Sequence, residues 1–272
     1  MLSRIIRAAV LLCALHASFH RAEAAAPQTV FLEEMTWTEL RDRIRDGATT
    51  IIVPVGGTEQ SGPDIALGKH NVRVKILSEK IALALGNTLV APVIAYVPEG
   101  GVAPPTAHMR FPGTITIPDQ AFQQVLEYAA RSFKLAGFHD IVILGDHGGY
   151  QSQLKTVADK LNREWAASRL VRVHALLEYY RATETSYYDA LLGRGLTAAE
   201  IGTHAGVADT SLMLATDPNL VRADRLPSDN ALNAGNGVYG DPRRSSAELG
   251  QLGVDAIVKT TVAAIRRDLN SH

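Results

Sequence analysis

Apolar residues are distributed along this chain in two rhythms. Unbroken β-rich runs, Thr49-Thr50-Ile51-Ile52-Val53-Pro54-Val55 and Ile141-Val142-Ile143-Leu144, close on glycine turns and predict strands buried on both faces. Residues 89–97 and 170–176 read as two further strands. Between them, Val72, Ile76, Ile81 and Leu85 recur at helical spacing and stop at Gly86-Asn87, which suits a C-terminal cap. Helices are likewise predicted over about 119–135, 151–165 and 246–269, and another apolar segment begins at Ser211. Strands that alternate with helices make an α/β protein with a mostly parallel sheet covered on both faces. Ligands of such sheets lie beyond the carboxyl ends of the strands, which selects the loops 58–71 and 145–151. The Gly/Pro-rich stretch 98–118 cannot be helical and suits a loop folding over a site.

The chain opens differently. Arg4 and Arg7 precede an apolar stretch that ends in the small-residue run before Pro27, the layout of an export signal cleaved near Ala24 or Ala25. The stretch is shorter than the roughly 20 residues that span a bilayer. Residues 1–25 are therefore expected to be a signal peptide and 26–272 a single domain, periplasmic or secreted. The lone cysteine, Cys13, falls in the signal, so any metal in the mature protein needs imidazole and carboxylate ligands. The whole chain carries a formal charge of −1, and losing the signal makes it more acidic, so nucleic acid and membrane are not expected partners. With 46% apolar residues, one large core can be filled.

Three clusters gather the unusual polar residues: Glu59-Gln60-Ser61-Gly62-Pro63-Asp64 with His70-Asn71; Asp146-His147-Gly148-Gly149; and His204-Ala205-Gly206 with Asp209-Thr210-Ser211. Glycine lets the backbone approach a ligand, while carboxylate and imidazole suit a divalent ion such as zinc or manganese. Glu59, His70 and His147 are the first candidates for ligands, with Asp146 or Asp64 able to add a carboxylate. The plain alternative is that these are turn residues satisfied by backbone groups, since no compact H-E-x-x-H spacing is present. His108 could reach a substrate from the long loop, and Tyr150, Tyr179 and Tyr180 could line a pocket; His139, His174 and His272 read as structural or surface residues.

Pro54-Val55-Gly56-Gly57-Thr58-Glu59-Gln60-Ser61-Gly62-Pro63, Phe111-Pro112-Gly113-Thr114, Asp146-His147-Gly148-Gly149, the His204–Ser211 cluster and Gly237-Val238-Tyr239-Gly240-Asp241-Pro242 resemble, in order, the motifs of the creatininase family. The resemblance implies a three-layer α/β/α sandwich, a homo-oligomer, and a divalent metal centre that hydrolyses small cyclic amides, formamides or related C–N bonds. It also implies that His204 shuttles a proton and Asp209 supports it. Several positions depart from the family pattern, Asp209 among them, where the family normally has Glu. Ser61 and His70 stand where the family has a ligand His and a metal-bridging Asp, and Gly149 stands where creatininase supplies a Glu. One ion per chain, zinc or manganese, is therefore expected, held by Glu59, His70, His147 and Asp146.

Two other readings compete. An exported, non-catalytic metal- or ligand-binding protein on the same fold would explain the depleted ligand set. A serine hydrolase built on Ser61 lacks the G-x-S-x-G elbow.

Overall fold

In the computed structural model the described residues are 29–168, 170–226 and 232–270. The expected export signal, Cys13 and His272 lie outside them.

Four strands are present among the described residues: β1 (Thr50–Val55), β2 (Thr88–Val90), β3 (Asp140–Gly145) and β4 (Arg172–Ala175). They form one parallel sheet in the order β2-β1-β3-β4. The helices are α1 (Trp37–Arg45), α2 (Lys69–Leu85), α3 (Asp119–Ala136), α4 (Gln151–Glu164), α5 (Glu178–Glu184), α6 (Ser186–Leu192), α7 (Ala198–Ile201), α8 (Val207–Thr216) and α9 (Ala247–Leu269).

The unbroken apolar strands have the cause the sequence suggests. Along β1, Ile51, Val53 and Val55 pack on one face with α3 and α4, while Ile52 packs on the other with α2, α8 and α9. Two cores back to back on one sheet make the three-layer α/β/α sandwich.

Two boundaries differ from the expectation in ways that matter for the site. The strand expected over 89–97 stops at Val90; Pro92 cannot donate to a ladder, and only a single bridge from Ile94 to Val55 continues the contact. The helix expected to begin at Val72 begins at Lys69, so Lys69 and His70 occupy its first turn, buried. That end of a helix carries positive partial charge and disfavours cations, so anions must lie close by.

β1 and β3 pair over their full length, from Thr50↔Asp140 to Val55↔Gly145. Their carboxyl ends therefore finish level and deliver the 56–68 and 146–150 loops side by side. The buried Tyr150 hydroxyl locks them together: it lies 2.8 and 2.6 Å from the carbonyls of Val55 and Gly56 and accepts from the N–H groups of Asp146 and His147. Tyr150, considered for a pocket wall, is a tie between strand ends instead.

Candidate metal centre and charged ring

Glu59 leaves β1 on the first loop and is completely buried. Its two carboxylate oxygens face different surroundings. Oε1 lies 2.7 Å from His70 Nε2 and 3.4 Å from Lys69 Nζ, whereas Oε2 has no hydrogen-bond partner and lies 3.3 Å from His108 Nε2 and 3.5 Å from His147 Nε2. Glu99 completes this second surrounding, with both of its oxygens buried and unpartnered and Oε2 4.0 Å from His147 Nδ1. Ligand atoms of Glu59, Glu99, His108 and His147 all lie within 4.8 Å of one another.

This group fits a divalent ion on three counts. Three buried carboxylate oxygens without a donor are costly unless a cation meets them. Two carboxylates and two imidazoles are a donor set that zinc or manganese accepts. Space is provided too: Gly57, at φ 149°, has no side chain, and a Cβ there would stand 2.8 Å from Glu99 Oε1. Electrostatics agree. Burial and the neighbouring Glu59 charge push the Glu99 carboxyl up to about 9, and burial pulls His147 down to about 4 and lowers His108. The imidazoles are thus neutral near pH 7, as a ligand must be.

The expected ligand set is redistributed. Glu59 and His147 fall in the group, but His70 and Asp146 do not. Both ring nitrogens of His70 are engaged, Nε2 with Glu59 Oε1 at 2.7 Å and Nδ1 with Asp146 Oδ2 at 2.6 Å and Arg73 Nη2 at 3.1 Å, so neither is free for the group. Asp146 is engaged on all sides by His70, by Arg73 at 2.8 Å and by the Tyr179 hydroxyl at 2.7 Å. Asp64 is paired with Arg225 at 2.9 Å. Glu99 was missed and His108 was considered only for substrate contact. The usable signal was in the sequence: they are the sole carboxylate and the sole imidazole of the 98–118 loop. That loop is stitched onto the site, since Ile115 N–H donates to Thr58 C=O, Gln60 N–H to Thr114 Oγ1 and Glu99 N–H to Thr116 Oγ1.

Next to the group lies a ring of alternating charge. Asp209 Oδ2 accepts from Lys69 Nζ at 3.0 Å and its Oδ1 from Arg73 Nη1 at 2.9 Å, so Asp209 supports these cations rather than His204. The pairing holds Glu59 and Asp209 well below the usual carboxylate range despite burial, and Asp146 below it as well.

His204 is oriented by the Gln60 backbone. Its Nε2–H donates to the Gln60 carbonyl at 2.9 Å, which leaves Nδ1 as the free base, 3.7 Å from Glu59 Oε1. Burial and the nearby Lys69 charge bring its pKa down to about 3. A cavity of about 480 Å³ opens here, lined by Lys69, His147, Tyr180, Tyr188, His204 and Asp209 among others. Tyr179 is buried under it, whereas Tyr180 does reach the wall. Ser61 Oγ is buried without any hydrogen-bond partner, so no base activates it and the serine-hydrolase reading has no geometry behind it.

Fold and site together define a three-layer α/β/α protein with a carboxylate–imidazole centre at the strand ends. The chain matches the creatinine amidohydrolase family over residues 33–265 and belongs to it, and so to the amidohydrolases. It is 25% identical to the creatinine amidohydrolase of Pseudomonas putida over 89% of this chain and 98% of that one. It is 32% identical to the 3-dehydro-scyllo-inosose hydrolase of Thermotoga maritima, but over only 45% of this chain and 37% of that enzyme. A mycofactocin precursor peptide peptidase of Mycobacterium tuberculosis is 25% identical over 80% of this chain and 85% of that one. Among solved structures, a manganese creatininase superposes with a TM-score of 0.74 at 25% identity, covering 89% of this chain and 99% of that one. A creatininase variant of Zn–Zn type does so at 0.73 with the same identity and coverage.

Proposed function

We propose that the chain hydrolyses a small cyclic amide, formamide or similar non-peptide C–N bond at a single divalent ion, zinc or manganese, held by Glu59, Glu99, His108 and His147. The observation that carries this reading is the cluster of four ligand groups around three unpartnered, buried carboxylate oxygens. The relatives' names support the reaction class, and the creatininase structures with zinc and manganese support the choice of ion.

A divalent ion at such a centre supplies Lewis acidity toward a substrate carbonyl and acidifies water. The protein's own groups do the rest. Substrate enters the cavity beside His147 and His204, with the Tyr180 and Tyr188 rings along its wall. His204, fixed by its Nε2–H bond to the Gln60 carbonyl, would present Nδ1 to the reacting atoms and relay a proton toward the leaving nitrogen. Lys69 and Arg73 hold Asp209 in place and keep the floor of the cavity charged but balanced.

The protein acts outside the cytoplasm once residues 1–25 are removed, as a homo-oligomer; Tyr128 and Leu135, strongly exposed on α3, offer apolar surface for that contact.

The test is metal analysis of the mature protein followed by a screen of lactams and formamides. Turnover that depends on added zinc or manganese and disappears in His147→Ala and Glu99→Gln, with the fold intact by circular dichroism, is the expected result. Metal binding without turnover on any such substrate would favour the non-catalytic reading, and wild-type turnover in the Glu99→Gln protein would remove the proposed ligand set.

A further inference from the structure

Three carboxylates from distant parts of the chain meet beside the centre: Glu59 after β1, Asp146 after β3 and Asp209 in the first turn of α8. Buried carboxylates brought this close either take up protons or demand cations, and a cage of oxygen donors is what hard divalent ions select. Here the cage is already filled from within. Lys69, His70 and Arg73, all in the first two turns of α2, alternate with the carboxylates in a closed ring. Glu59 meets Lys69 at 3.4 Å and Lys69 meets Asp209 at 3.0 Å; Asp209 meets Arg73 at 2.9 Å and Arg73 meets Asp146 at 2.8 Å; Asp146 meets His70 at 2.6 Å, and His70 returns to Glu59 at 2.7 Å.

Resting on the metal-centre reading above, we propose that Lys69 and Arg73 are a built-in cation pair that, with the His70 imidazole between them, occupies this carboxylate cage and thereby limits the chain to one divalent ion. Lys69, His70 and Arg73 each touch two carboxylates and each carboxylate touches two of them, while the Tyr179 hydroxyl and the Ala205 N–H also donate to Asp146 and Asp209. Only Glu59 Oε2 turns outward, and it turns toward His108 and His147. The ring thus divides Glu59 between a covalently supplied cation on one side and a mobile ion on the other. Lys69 and His70 stand where the positive end of α2 disfavours them, which marks their position as set by the anions they face and not by the helix. Lys69, Arg73, Asp146 and Asp209 also line the cavity, so an ion has a route to the cage once Lys69 is taken away.

The experiment is ion counting by native mass spectrometry and plasma emission on the full chain at saturating Mn²⁺ or Zn²⁺, for wild type, Lys69→Met and Lys69→Met/His70→Asp. Wild type is expected to take one ion and the double variant one more, with a larger gain in Tm on metal addition than wild type shows. Should the double variant fail to fold, the metal-induced Tm gain of Lys69→Met decides; a gain no larger than that of wild type overturns the inference. No added ion in the folded double variant overturns it while leaving the metal-centre reading intact, whereas two ions in wild type overturn it together with the single-ion part of that reading. Wild type that takes no ion overturns both.

Discussion

Two ion networks of similar geometry lie in very different places. On the outer face of α3 and α4, Arg131 reaches Glu127 at 2.7 Å and Glu164 at 2.6 Å, and Lys160 reaches Glu127 at 2.6 Å. Under α2, the ring of Glu59, Asp146, Asp209, Lys69, His70 and Arg73 has comparable or longer contacts but almost no solvent. Distance does not rank them. The outer network borders solvent through Arg131, Glu164 and Lys160 and is screened by salt, so forming it gains little. The inner one was expensive to desolvate, and each member now depends on the others because an orphaned charge there cannot be hydrated. The comparison separates charges that decorate a fold from charges that a fold is committed to.

The largest effect should come from opening the ring. Asp146→Ala leaves His70 and Arg73 facing each other without their shared anion and should cost about 3–5 kcal/mol in urea unfolding, the range for breaking a buried pair. Acid should open it next. Glu59, Asp146 and Asp209 have lowered folded pKa values, so their contribution is present above the ordinary carboxylate range and lost as pH falls below it. His147 and His204, at about 4 and about 3, add to this: below about 6.5 the unfolded chain binds their protons first, so stability declines with falling pH. Thermal melts should show the loss due to the ring carboxylates below about pH 4.5, and a flat profile from about pH 5 to about pH 2 would contradict a buried, ionised ring.

Glu99 should act in the opposite sense and more weakly. Its folded pKa is raised to about 9, so in metal-free protein its contribution is complete below the ordinary glutamate range and is lost as pH rises toward 9. Metal-free Glu99→Gln should therefore gain Tm relative to wild type at pH 8 but not at pH 4, while binding zinc or manganese more weakly in calorimetric titration. The smallest effect belongs to the outer network. Arg131→Met should shift the unfolding midpoint only slightly, and raising salt to ~0.5 M should erase the difference. A loss there as large as that of Asp146→Ala would undo the contrast between the two networks.

The central strands β1 and β3 were legible because their apolar runs are almost unbroken, and the loops at their carboxyl ends followed from the alternation of elements. Glu59, His147 and His204 stood out because each follows or accompanies glycine at such a loop. His70 and Asp146 stood out for the same reason, yet local spacing carries no information about what lies across the sheet. Lys69, inside the expected 58–71 loop, and Arg73, in the expected helix, were not singled out; Arg73 turned out to engage both, and Lys69 to meet Glu59 beside them. Glu99 was hidden by distance: its loop leaves the far side of β1 and returns through backbone bonds to Thr58 and Gln60 that no periodicity announces.

Glu59 and His147 are anchored at paired strand ends, whereas Glu99 and His108 ride on a long loop held by a handful of backbone bonds. Detaching that loop removes half the coordination while both hydrophobic layers stay intact. Chelators should therefore strip the ion from a protein that never unfolds, at a pace governed by how often the loop lifts away.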